Sequence, residues 1–186
     1  DQLIRIMPSG ETAKVKEILL FKDSLQKAEL GKSITITLDR EIDISRGDVI
    51  VSANSPCEVS DHFQIKLIWM DEETGYQGRS YLMKIGSQQV SAQITSIKHK
   101  IDINTFKSVS AKKLLPNDFY IITLKTNKPI IFENYESCPG MGSLILIDRF
   151  TNATVAAGMI QFALYRAKNI HRQNMIIDKQ KRQKLN

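Results

Sequence analysis

Residues 143–160 read SLILIDRFTNATVAAGMI, and this stretch carries the pattern that decides the fold. Two apolar runs, 144–147 and 155–160, flank a short polar break at 148–152. The runs are rich in residues that favour strands, and the break contains a turn-prone Thr-Asn pair. No neighbouring side chain could pair with Asp148 as a base–nucleophile couple. The stretch therefore predicts a hairpin that closes a sheet, and it does not indicate a catalytic turn.

The rest of the chain shows the same strand pattern. Polar and apolar residues alternate in 64–69, and they alternate again in 81–85 and 90–97 around a Gly-Ser turn, which predicts a hairpin. Further strands are predicted at 3–7, 12–20, 33–38, 48–52, 119–124 and 130–132. Residues 125–129 are interpreted as a turn or bulge because Pro129 cannot donate to a central ladder. Residues 24–30 and 110–115 are predicted as short helical turns.

Short strands separated by turn residues predict an all-β fold of antiparallel barrels or sandwiches. A polar break at 53–56 places a boundary between a unit of residues 1–54 and a unit of residues 55–165. The first unit is small for an independent core and begins directly at a strand, so we expect it to be an incomplete part of a longer protein. Its uncovered strand edges would need pairing or cover. Residues 166–186 are interpreted as a basic linker or tail.

The distribution of charge argues against a nucleic-acid partner. The chain has a formal net charge of +6, yet residues 166–186 hold seven basic residues and one acidic residue. The other 165 residues hold 19 of each sign, so the folded body is neutral. A surface that follows a phosphate backbone needs a positive body. No apolar run reaches the roughly 20 residues that cross a bilayer, and we expect a cytoplasmic protein with no membrane contact.

Residues suited to catalysis or metal binding are sparse. His62, His99 and His171 lack partners at metal-ligand spacing, and Cys57 and Cys138 are interpreted as free thiols. The acidic run at 71–73 is interpreted as a solvated hairpin tip. The loop at 138–143 (CPGMGS) lacks the lysine of a phosphate-binding loop and is interpreted as a tight turn into a strand. We therefore predict no catalytic, cofactor-binding or metal-binding residues.

Several segments together carry a family resemblance. They are 41–48 (EIDISRGD), 67–70 (LIWM), 78–86 (GRSYLMKIG), 101–105 (IDINT), 146–160 (LIDRFTNATVAAGMI) and 162–173 (FALYRAKNIHRQ). The first resembles the end of the second domain of translational-type GTPases, and 146–160 resembles the last hairpin of their third domain. In combination, the segments resemble the GTP-dependent large subunit of sulfate adenylyltransferase over nearly the whole chain. The segment 162–173 resembles the connector to an adenylylsulfate kinase domain in bifunctional members.

The resemblance implies two antiparallel β-barrels like domains II and III of elongation factor Tu, with the first barrel incomplete. It also implies a parent protein that uses GTP, magnesium and ATP, with none of them bound by this region. The implied partners are the parent's own G domain, a smaller catalytic subunit and a fused adenylylsulfate kinase. Asp148, Arg149, Asn152 and Arg46 are the predicted domain or partner contacts. The alternative is a pair of barrels from a translation GTPase that bind tRNA.

Overall fold

The structure, a computed structural model, describes residues 2–164, and the regular secondary structure of these residues is almost entirely β-strand. The predicted all-β fold is confirmed. One short helical turn, α1, spans Pro139–Gly142. The strands are β1 Leu3–Met7, β2 Thr12–Leu20, β3 Asp23–Leu25, β4 Thr35–Leu38, β5 Val49–Ser52, β6 Glu58–Trp69, β7 Gly75–Tyr76, β8 Ser80–Ile85, β9 Gln88–Ile101, β10 Ser108–Val109, β11 Lys113–Leu114, β12 Phe119–Phe132, β13 Ser143–Ile147 and β14 Thr154–Ala163.

Six strands form a closed antiparallel barrel. The order is β8–β9–β12–β6–β14–β13, and β13 pairs back with β8. Along β6, Phe63, Ile65, Leu67 and Trp69 are at most 1% exposed, and the residues between them are half-buried. Because successive side chains of a strand point to opposite faces, one set of β6 fills the interior of the barrel. The main hydrophobic core is therefore the inside of this barrel.

The hairpin at 143–163 completes the barrel. Strand β13 pairs with β14, with Ile145 opposite Ala157. Strand β14 also pairs with β6, and β13 also pairs with β8, so the hairpin fills the gap between the two. The predicted sheet-closing hairpin is confirmed.

The first five strands form a separate, smaller sheet. Its order is β3–β2–β1–β5, with β4 also paired to β2, and it does not close on itself within residues 2–164. A small core of Ile4, Ile6 and Ala13 covers one face. The predicted boundary between residues 54 and 55 falls in the connection from β5 to β6. The division into units at that point stays a prediction, and residues 166–186 lie outside the described residues.

Both predicted helical turns are wrong. Within 24–30, the first two residues belong to β3 and the rest form no helix. Within 110–115, Lys113 and Leu114 form β11, which pairs with β7. Strand pairing to an existing neighbour outweighs the weak helix propensity of such short runs.

Residues 119–132 form one continuous strand with a register shift between Lys125 and Ile130, so the bulge interpretation of 125–129 applies. No helix in residues 2–164 is long and apolar enough to span a bilayer.

Candidate functional site

The loop at 148–152, which we call the Asp148 loop, connects β13 to β14 around a buried carboxylate. Asp148 is 4% exposed. Its Oδ1 accepts hydrogen bonds from the backbone N–H groups of Phe150 (2.9 Å) and Thr151 (3.0 Å). Its Oδ2 lies 2.6 Å from Nη2 of Arg79, the residue before β8. The carboxylate is thus fully satisfied within the chain, as a buried charge requires.

These contacts favour the ionised form of Asp148. The backbone N–H groups of Thr151 and Phe150, together with the Arg79 guanidinium, hold the pKa of the Asp148 carboxyl below its ordinary value. A carboxylate that stays ionised near neutral pH is a poor general acid. The geometry therefore assigns Asp148 a role in ordering the loop.

We expect the stability of the chain to depend on pH through Asp148. Because its pKa is lowered in the folded state, the carboxylate stabilises the fold above the unfolded pKa of about 4. That contribution is lost as the pH falls through the folded pKa. Melting temperatures of the wild type and Asp148→Asn, measured from pH 7 to pH 2, should therefore differ most at neutral pH and converge in acid. Asp23→Asn is the control, since the exposed Asp23 side chain makes no hydrogen bond or ion pair within residues 2–164. A pH-independent difference for Asp148→Asn would contradict this role.

Arg79 connects the Asp148 loop to the core of the barrel. Its guanidinium carbon lies 5.6 Å from the centroid of the Tyr81 ring, which is close enough for a cation–π contact. The Tyr81 ring packs edge-to-face against Trp69, with 5.8 Å between centroids. Burial raises the pKa of Tyr81 to about 12, so this phenol is neutral at physiological pH. The loop is therefore anchored on packed core residues.

The outer side of the Asp148 loop faces solvent. Asn152 adopts a left-handed conformation (φ 58°), and its N–H donates to the Asp148 carbonyl at 3.0 Å. Such a conformation suits asparagine and makes the turn tight. Phe150 is 89% exposed, and Arg149 is exposed with a 3.4 Å contact to Ser91 Oγ. Arg149 and Asn152 thus lie where a second domain or subunit could reach them, and Asp148 lies beneath them.

The fourth predicted contact, Arg46, lies in a loop of the first sheet that touches the barrel. In residues 45–48, the Arg46 loop, Asp48 Oδ2 accepts the Ser45 N–H at 2.8 Å. A Cβ atom placed on Gly47 would lie 3.7 Å from Cγ of Gln88. The Gln88 side chain in turn makes two hydrogen bonds to the backbone of Ile131, of 2.7 and 3.1 Å. The Arg46 loop therefore rests on a residue that is fixed to the barrel wall.

A cleft of about 610 Å³ opens beside this contact, and we call it the junction cleft. It is lined by Pro8, Arg46, Gly47, Asp48, Lys84, Gly86, Ser87, Gln88, Gln89, Lys128 and Pro129. Arg46 lies far from the Asp148 loop in sequence, and the four predicted contact residues belong to two separate loops. Their use as contacts stays a prediction.

The other residues considered for chemistry are dispersed. No group of three or more potential metal ligands occurs within residues 2–164. Glu72 and Glu73 are exposed, and the Glu73 carbonyl accepts a hydrogen bond from the Trp69 indole. The loop at 138–143 forms α1 and leads directly into β13, which agrees with a tight turn. His171 lies outside the described residues.

Sequence reasoning missed Arg79, Gln88, Lys84 and Lys128. Arg79 is 69 positions from Asp148, and Gln88 is 43 positions from Ile131. Both pairs meet only because the barrel brings β8 and β9 next to distant strands. Within the sequence, the one available signal was the Gly-Ser turn at 86–87, which marks the end of β8.

Comparisons with known proteins agree with this architecture. Residues 62–161 match a family model described as GTP-eEF1A C-terminal domain-like. The crystal structure of sup35 complexed with GDP matches with a TM-score of 0.78 at 22% identity, over 88% of this chain and 40% of that one. This likeness shows the fold.

Curated relatives are more similar in sequence. Sulfate adenylyltransferase subunit 1 of Saccharophagus degradans is 41% identical over 157 residues, which is 84% of this chain and 33% of that protein. Bifunctional enzyme CysN/CysC of Xylella fastidiosa is 38% identical over 173 residues, covering 93% of this chain and 28% of the relative. Bifunctional enzyme NodQ of Azospirillum brasilense is 38% identical over 174 residues, which is 94% of this chain and 28% of that protein. The chain thus spans about a third or less of each relative. It is a homologue of sulfate adenylyltransferase subunit 1 over most of its length, and it belongs to the GTP-eEF1A C-terminal domain-like family.

Proposed function

We propose that the chain is the non-catalytic barrel region of a GTP-dependent sulfate adenylyltransferase subunit. In the parent reaction, ATP and sulfate give adenylylsulfate and pyrophosphate, driven by GTP hydrolysis. The barrels would couple the parent's G domain to a smaller catalytic subunit. The similarity to sulfate adenylyltransferase subunit 1 supports the choice of parent, and the similarity to bifunctional enzymes supports a second enzymatic domain, an adenylylsulfate kinase, in the same protein.

The nucleotides and the magnesium ion belong to other parts of this proposed parent. GTP and magnesium would bind the G domain, and ATP would bind the catalytic subunit. The chain itself would contribute binding surfaces and would show no turnover alone. The parent would act in the cytoplasm.

The Asp148 loop is the observation that carries the proposal. Phe150 is 89% exposed on a loop whose base is held by hydrogen bonds to the buried Asp148 carboxylate. An exposed aromatic ring on an ordered turn loses little conformational entropy on binding. Aromatic residues and arginine are also the side chains that most often dominate binding energy at interfaces. Phe150 and Arg149 therefore form a suitable anchor for the catalytic subunit.

A substitution in the full-length parent protein tests this role. Phe150→Ala should raise the dissociation constant for the small catalytic subunit by about tenfold or more, since truncation of a dominant anchor residue typically costs about 2 kcal/mol or more and every 1.4 kcal/mol is tenfold. Isothermal titration calorimetry measures the constant. The rate of adenylylsulfate formation at limiting subunit concentration should fall in parallel.

Phe106→Ala is the matched control. Phe106 is 83% exposed on a different loop and, like Asn152, has a positive φ angle. Phe106→Ala should leave the dissociation constant for the catalytic subunit within twofold of the wild-type value. Equal effects of the two substitutions, or no effect of Phe150→Ala, would overturn the assignment. Salt-sensitive tRNA binding by residues 1–165 would instead support the translation-GTPase alternative.

A further inference from the structure

The junction cleft gathers positive charge in a chain whose folded body is neutral. Arg46, Lys84 and Lys128 all line it, and Asp48 is its one acidic lining residue. None of these three basic side chains makes an ion pair within residues 2–164. Like charges that share a concave site reinforce one another's field and attract anions.

Backbone donors add to this field. Gly47, Gly86 and Ser87 line the same cleft, and their N–H groups make no hydrogen bond among the described residues. Left-handed backbone at Gly47 (φ 108°) and Gly86 (φ 53°) belongs to the kind of turn that forms an anion-binding concavity. The Gln88 amide is already bonded to Ile131, so it shapes the wall of the cleft.

We propose that the junction cleft binds a tetrahedral oxyanion, sulfate or phosphate, either free or as a phosphate group of a nucleotide. Arginine provides paired donors that suit such an anion, and lysine provides point charges. The three cations come from the Arg46 loop, from β8 and from the bulge of β12. A bound oxyanion therefore joins the first sheet to the barrel. The negative charge of the Asp48 carboxylate repels the anion, so we expect the affinity to be weak. This inference stands apart from the proposed function and does not require the parent reaction.

Titration of the 186-residue chain with sodium sulfate and with inorganic phosphate tests the site. Sodium chloride holds the ionic strength constant, and two-dimensional amide NMR follows individual residues. Saturable shifts are expected at Gly47, Gly86 and Ser87. Residue-resolved shifts separate this cleft from non-specific binding to the basic segment 166–186. Linear shifts without saturation, or shifts confined to that segment, would overturn the proposal.

Matched variants make the test specific. Arg46→Gln and Lys84→Gln should each raise the dissociation constant about twofold to fivefold, as expected for loss of one exposed charged partner. Lys112→Gln removes the same charge from an exposed bend outside the cleft and should have no effect. Asp48→Asn should lower the constant, a change of opposite sign that a purely structural role for the loop would not produce. Equal responses of Lys84→Gln and Lys112→Gln would contradict the site.

A parallel titration with adenosine 5′-phosphate identifies the source of the oxyanion. If adenosine 5′-phosphate binds at least tenfold more tightly than inorganic phosphate, the cleft recognises a nucleotide-borne group. If the two bind equally, the free oxyanion is the ligand. If neither adenosine 5′-phosphate nor inorganic phosphate binds saturably, the proposal that the junction cleft binds an oxyanion is overturned.

Discussion

The substitution Gly142→Ala is expected to lower the free energy of unfolding by about 3 kcal/mol, at the upper end for an overpacked site. Gly142 ends α1 and is buried. A Cβ atom there would lie 2.4 Å from Cα and 2.5 Å from N of Tyr135, and these are backbone atoms that cannot rotate away. The Tyr135 N–H is held by the Ile160 carbonyl at 3.0 Å, so relief of the clash must disturb β14. Urea unfolding followed by the fluorescence of Trp69, the chain's single tryptophan, measures the loss.

Gly140→Ala, two positions earlier in the same turn, is the control. A Cβ atom on Gly140 meets nothing within 4 Å, and its φ angle is not positive. Alanine there should leave the stability unchanged or raise it slightly, since it reduces the freedom of the unfolded chain. If both variants unfold at the same urea concentration, the close approach at Gly142 does not govern the packing of α1.

The substitution Trp69→Ala is expected to cost about 3–5 kcal/mol, the range for removing a large aromatic side chain from a core. The Trp69 side chain is 1% exposed, packs edge-to-face on Tyr81 and covers the backbone of Gly75. Its Nε1 donates to the Glu73 carbonyl at 2.8 Å. Against a typical domain stability of about 5–15 kcal/mol, the variant should be largely unfolded well below the wild-type melting temperature. Because the fluorophore is removed, far-UV circular dichroism is the readout.

Trp69→Phe separates packing from hydrogen bonding. Phenylalanine keeps an aromatic ring in the core but cannot donate to Glu73, so the expected loss is smaller, about 1–2 kcal/mol. A loss under 1 kcal/mol for Trp69→Ala would show that the barrel interior collapses around the missing ring.

The strands with regular alternation were predictable, and the irregular ones were not. The pattern of 64–69 predicts the second half of β6, but β6 begins at Glu58 because its first residues pair with the end of β12. Likewise, Pro129 argues against a central strand, yet β12 continues past it through a bulge. Strands β3 and β11 are only two or three residues long and exist because a neighbouring strand offers pairing. Such contributions arise from tertiary structure, which local patterns do not record.

The candidate site was predictable only in its turns. The polar break at 148–152 and the Arg-Gly turn at 46–47 are visible in the sequence as turn signals. The Arg79 partner of Asp148 depends on the register that sets Ile147 opposite Leu82, and no local spacing indicates it. The same holds for the junction cleft, whose three basic residues come from three distant segments.

The pairing of β6 has a consequence for folding during synthesis of the protein. This strand lies between β12 and β14, and β14 begins about 85 residues after β6 ends. At a synthesis rate of about 5–20 residues per second, β6 waits roughly 4–17 s for its last partner. During that interval the barrel is incomplete, so the apolar face of β6 that carries Phe63, Ile65 and Leu67 is not yet buried. Nascent chains arrested before residue 154 should therefore recruit chaperones through β6, and release of the hairpin at 143–163 should end that dependence.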